Sequence, residues 1–195
     1  LSSSSAASDV YKRQAYNGST WSTATNMITA RICLAGAGTQ NAALGFGGLP
    51  GGACTEAYNG STWSAGGAMI TGRRSLAGAG TQNAAVAFGG FTTPAEIACT
   101  ETYNGTAWTA GGAMITARQA FAGAGTQNAA LGFGGLTAPV VALTCTEAYN
   151  GAAWSAGGAM IRARFCLAGA GTQTAALAFG GLNFACTEAY NGTSW

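Results

Sequence analysis

Large and small apolar residues alternate over Ala129-Ala130-Leu131-Gly132-Phe133, and the run stops at Gly134-Gly135. Period-two patterning of this length predicts a short strand, and the paired glycines predict a turn after it. Upstream, Phe121-Ala122-Gly123-Ala124-Gly125 predicts a strand of very small residues, joined to the first through the polar turn Thr126-Gln127-Asn128. Downstream, Cys145-Thr146-Glu147-Ala148-Tyr149 predicts a third strand. Asn150-Gly151 then predicts a hairpin turn with both central residues at positive φ. The fourth strand passes through Trp154 and stops at Gly157-Gly158.

The whole pattern recurs. Tyr-Asn-Gly-x-x-Trp occurs at Tyr16–Trp21, Tyr58–Trp63, Tyr103–Trp108, Tyr149–Trp154 and Tyr190–Trp195, with Trp-to-Trp steps of 42, 45, 46 and 41 residues. All the variation lies between each Phe-Gly-Gly and the next Cys, in Leu49–Ala53, Phe91–Ala98, Leu136–Thr144 and Leu182–Ala185. These segments are 5, 8, 9 and 4 residues long, and removing them leaves 37 in every period. A frame of fixed length therefore carries one free loop per repeat, and all three prolines, Pro50, Pro94 and Pro139, fall in that loop. Four antiparallel strands repeated at this period describe the blade of a β-propeller, an all-β fold. The glycine-rich strand is expected innermost, where neighbouring blades leave little room for side chains. Residues from Ala15 to about Met27 supply one outer hairpin, and four blades follow. The expected assembly is an incomplete or open ring, or one closed by imperfect pairing of its ends.

The same marks resemble the kelch repeat: a double glycine closing one strand, a Tyr and a Trp flanking a turn, then a Met and an Arg before the next strand. One copy carries Gly89-Gly90, Tyr103, Trp108, Met114 and Arg118, and another Gly47-Gly48, Tyr58, Trp63, Met69 and Arg73. The resemblance covers Ala15 to Trp195, with a short Tyr-to-Trp spacing and Asn-Gly in place of the usual Asp-Pro. It implies a non-catalytic binding or structural module that holds a protein or glycan partner through its variable-loop face. The alternative it implies is the non-catalytic propeller portion of a larger secreted or surface enzyme. Near-identical copies resemble repeats of environmental phage and bacterial proteins, which implies a virion or cell-surface setting.

Composition removes several function classes. Only 7% of residues are charged and the formal charge is +2, so no basic footprint for nucleic acid exists. Ile32–Thr55 is uncharged, but its glycines, its polar turn and its recurrence in every repeat argue against a membrane span. Residues 1–14 match nothing in the repeats and resemble a translated sequencing adaptor; they are expected to be non-native or disordered, leaving 15–195 as the propeller.

Candidate chemistry is sparse. The chain has no His, and its one Asp lies in the foreign-looking segment, so no catalytic triad or acid–base pair can be assembled. The copper-oxidase branch of kelch proteins uses His ligands, which are absent here. No enzyme activity, metal or cofactor is expected. Cys54, Cys99, Cys145 and Cys186 share one repeat position, and Cys33 and Cys166 share another. Equivalent positions in adjacent blades are expected to exceed the ~7 Å disulfide limit. Free thiols would favour a reducing compartment. Arg31, Arg73, Arg118 and Arg164 recur in the link between blades, with Arg74 and Arg162 as extras. Two readings of the series stand: a ring of cations at one mouth of the channel that receives an acidic peptide or other anion, or structural pairs with Glu56, Glu101, Glu147 and Glu188. The loop residues Phe91, Pro94, Ile97, Val140, Val141, Leu143 and Phe184 are candidates for a partner surface on the same face. Asn-Gly-Ser/Thr also spells glycosylation sequons at Asn17, Asn59, Asn104 and Asn191, although turn chemistry explains these residues by itself.

Overall fold

A computed structural model describes residues 14–182 and 184–195. The segment expected to be non-native or disordered thus lies outside the described residues except for Gln14, as does Asn183. Every regular element described is a strand. A hairpin of β1 (Gln14–Tyr16) and β2 (Trp21–Thr23) comes first. The first blade holds β3 (Ala35–Thr39), β4 (Ala42–Phe46), β5 (Thr55–Tyr58) and β6 (Trp63–Ala65). The second holds β7 (Ala77–Thr81) and β8 (Ala84–Phe88), a small hairpin of β9 (Phe91–Thr92) and β10 (Ala95–Glu96), then β11 (Thr100–Tyr103) and β12 (Trp108–Gly111). The third repeats this with β13 (Ala122–Thr126), β14 (Ala129–Phe133), β15 (Leu136–Thr137), β16 (Val141–Ala142), β17 (Thr146–Tyr149) and β18 (Trp154–Ala156). The fourth holds β19 (Leu167–Gly171), β20 (Ala176–Gly180) and β21 (Thr187–Tyr190). Three blades are four-stranded antiparallel sheets and the fourth is three-stranded, in the arrangement of a β-propeller.

The innermost strands pack in sequence, β3 on β7, β7 on β13 and β13 on β19. No comparable contact joins β19 back to β3 among the described residues, so the four blades form an open arc. Glycine is what lets these strands approach. A Cβ built on Gly78 would lie 2.5 Å from the Phe46 ring, and one on Gly169 would lie 2.5 Å from the Phe133 ring. The crowding expected from the Gly-Ala-Gly run is therefore an aromatic ring of the preceding blade pressed against bare backbone.

Those rings form the core between blades. Phe46 meets Trp108 with ring centroids 5.0 Å apart, Phe88 meets Trp154 at 4.8 Å, and Phe133 meets Trp195 at 4.8 Å. Burial of each Phe side chain is worth about 1.5–3 kcal/mol. Polar staples fix the same contacts. Trp108 Nε1 donates to Thr55 Oγ1 and Trp154 Nε1 to Thr100 Oγ1, both at 2.9 Å. Gln82, Gln127 and Gln173 each reach back across the junction and donate to two backbone carbonyls of the preceding blade. In the fourth blade the outer face is open: Leu177 and Phe179 are 46% and 41% exposed, where Leu131 and Phe133 of the third blade are fully buried.

Two sequence expectations change. The Asn-Gly turn is a four-residue loop, because Tyr58 pairs with Trp63 across Asn59–Thr62. Asn59 Oδ1 accepts the N–H groups of Ser61 and Thr62, and of the Asn-Gly pair only Gly60 takes positive φ, at 95°. The same arrangement holds at Asn150 and Gly151. Equivalent backbone positions in adjacent blades can also touch. Ser75 N–H donates to Cys33 O, Ala120 to Ser75 and Cys166 to Ala120, at 2.7–2.8 Å. These four residues all take positive φ, between 53° and 56°. Cys33 and Cys166 are free all the same, because they sit at the two ends of this ladder, in blades one and four.

Candidate functional site

The link that enters each blade and the free loop of that blade lie side by side. Ile32 bridges to Leu49, Arg74 to Phe91 and Gln119 to Leu136, backbone to backbone. One face of the arc therefore gathers the loops that differ in length between repeats, together with the links. The two longer loops fold on themselves as the small hairpins β9–β10 and β15–β16. The loops of 4 and 5 residues are too short for this.

Beneath the loops, a buried ion pair fixes each link. Arg31 pairs with Glu56 at 3.0 Å, Arg73 with Glu101, Arg118 with Glu147 at 3.1 Å and Arg164 with Glu188 at 3.0 Å. Each glutamate also accepts from the backbone of the link, Glu188 from Ile161 N–H and the other three from two N–H groups each. Glu56 binds Ile28 and Thr29, Glu101 binds Ile70 and Thr71, and Glu147 binds Ile115 and Thr116. Each arginine donates onward to carbonyls at the end of the blade's second strand, as Arg31 does to Gly47 O at 2.9 Å and Arg164 to Gly180 O at 3.0 Å. The charge is thus satisfied inside the protein, except that each arginine Nε–H and Glu188 Oε1 are buried without a hydrogen-bond partner. Burial pulls Arg73 and Arg118 below the ordinary arginine range, while the nearby Glu101 acts the other way on Arg73, and Cys145 and Glu147 on Arg118. All four side chains are closed to solvent. Of the two readings of the series, the geometry is that of the structural pair, with each guanidinium closed to solvent on its glutamate.

The loop candidates divide. Val140 and Val141 stand out at the tip of the β15–β16 hairpin, 70% and 51% exposed. Phe91 and Ile97 are half-buried. Phe91 lies under the Arg74 guanidinium, whose carbon is 4.6 Å from the ring centroid. Ile97 ties its N–H to Gly90 O at 2.9 Å. Ile28, Ile70, Ile115 and Ile161 are exposed at one register of the link in every repeat. Their place three residues before the conserved-register arginine was visible in the sequence, but periodicity gave no reason to expect an apolar residue outside. The six cysteines are free, and burial pushes the Cys145 thiol up although Arg118 lies beside it.

No family model and no curated protein matches the chain. Among the described residues no group of three His, Cys, Asp or Glu side chains could hold a metal ion. Among the described residues no helix is long and apolar enough to cross a membrane.

Proposed function

We propose that this chain is a non-catalytic, kelch-like binding module that holds a protein or glycan partner on its loop face. The observation that carries this is the division of labour along each repeat. A 37-residue frame recurs with the same ion pair and the same aromatic contacts, while loops of 4 to 9 residues vary on one face. Variation over a rigid frame is how binding loops are presented. The exposed Val140 and Val141, with the exposed isoleucines of the links, give that face apolar area for a partner.

The test is a screen of the intact protein against peptide and glycan arrays, repeated with Val140→Asp/Val141→Asp and with Arg74→Gln. The reading expects at least one loop-face variant to lose the ligands found while keeping the wild-type thermal midpoint. Retention of every ligand by both variants would overturn it.

A further inference from the structure

At the junction of the first two blades the repeat is broken in both charge and shape. Gly72 stands where the other links have Ala30, Ala117 and Ala163. A Cβ there would meet Ala53 N and Gly52 C at 3.2 Å, so the link and the first free loop pack backbone to backbone. Arg74 stands where the other links have Ile32, Gln119 and Phe165. Between the two loops lies a cavity of about 250 Å³ lined by Leu49, Gly52, Arg74, Phe91, Thr92 and Thr93, among others.

Arg74 is charged and uncommitted. The four repeat glutamates are taken by the four repeat arginines, and the remaining described glutamate, Glu96, accepts from Gln119 Nε2 at 3.0 Å. No ion pair to Arg74 occurs among the described residues. The Phe91 ring supports its guanidinium from one side, a contact that holds the planar group in place and leaves its N–H edges free to donate. The hydroxyl-bearing Thr92 and Thr93 line the same cavity, and Leu49 supplies an apolar wall. We infer that this cavity binds a carboxylate side chain of a partner peptide: an Asp or Glu held by Arg74, with an adjacent aliphatic residue against Leu49.

A peptide suits the site better than a sugar. The guanidinium covers one face of Phe91, the aromatic ring that lines the cavity, and so leaves less of the ring for a sugar to stack upon. The apolar wall of Leu49 favours an aliphatic side chain. A single cation also matches one carboxylate rather than a polyanion, whose binding grows with each phosphate neutralised. This inference rests on the binding-module reading and narrows it to one site and one ligand class.

The test uses the intact protein and an array of hexapeptides that place Asp or Glu beside Leu, Ile or Val, each printed with its Asn or Gln counterpart. Acidic peptides are expected to bind and their amide counterparts to fail. Arg74→Gln, which keeps the backbone bridge and introduces the residue found at Gln119, is expected to weaken binding by about tenfold or more, the scale of one charge-assisted contact. Equal binding of the amide peptides, no change on Arg74→Gln, or binding of glycans alone would each overturn the inference. Ligands lost on Val140→Asp/Val141→Asp but kept by Arg74→Gln would place binding elsewhere on the loop face, so the broader reading would survive while this one fell.

Discussion

Arg73 is buried, with its guanidinium on Glu101 and on the Ala87 carbonyl, while Arg74, one residue later, rests half-buried over the Phe91 ring at the edge of a cavity. Arg73 has an equivalent in every blade, and Arg74 has none. The difference separates two kinds of position in a repeat protein. A residue that recurs is held by partners that recur with it, and its chemistry is consumed by the frame. A residue that interrupts the repeat has no partner supplied by the repeat, so it either meets another interrupting residue, as Gln119 meets Glu96, or stays available, as Arg74 does. The same logic applies to shape: Gly78 recurs because a ring presses on it, whereas Gly72 replaces an alanine where two loops meet.

Breaking the frame side of this comparison should cost most. Glu101→Ala leaves Arg73 buried without its counter-charge and frees the N–H groups of Ile70 and Thr71. A loss of about 3–5 kcal/mol is expected by urea denaturation. Gly78→Ala should cost about 1–3 kcal/mol, because its methyl group would meet the Phe46 ring at 2.5 Å. Thr100→Val removes the acceptor of the buried Trp154 Nε1–H, and about 1–3 kcal/mol is expected from the orphaned donor.

Much of the frame was legible in the sequence and much of the site was not. Strand order, the glycine-rich inner strand and the fixed length of the frame follow from alternation and period, since a sheet with one register has one way to place its large residues. The Glu–Arg pairing was one of two open readings, because equal numbers and like spacing establish that both recur but not that they meet. The role of Gln82, Gln127 and Gln173 escaped detection: a polar residue in a turn looks like any solvated loop residue until the neighbouring blade's carbonyls are in place. The Asn-Gly turn was found, but its geometry was misjudged, because four residues separate the paired Tyr and Trp and the Asn side chain serves as acceptor. Arg74 stood out as an extra cation, yet only the fold puts it over Phe91 and beside a cavity. A pairing of loops from two blades has no signature within either repeat.

The frame also predicts a weaker, pH-dependent effect. Burial raises the Cys145 thiol above its usual 9.0 and the Tyr149 phenol above its usual 10.0. Above these ordinary values the unfolded chain gives up its protons first, so it binds fewer than the folded chain and stability falls as pH rises. Denaturation midpoints measured from pH 8 upward should therefore decline through the alkaline range. The decline should shrink in Cys145→Ala and Tyr149→Phe, each compared with its own midpoint at pH 8.

The contrast between neighbours is tested most directly by urea denaturation of Arg73→Ala and Arg74→Ala side by side. Removal of Arg73 strands a buried glutamate and should lower stability by about 3–5 kcal/mol. Removal of Arg74 touches no part of the frame beyond its contact with Phe91 and should stay within about 0.5 kcal/mol of the parent. A frame role for the recurring arginines would be contradicted by an Arg73→Ala midpoint equal to that of the parent, or by an Arg74→Ala loss as large as that of Arg73→Ala.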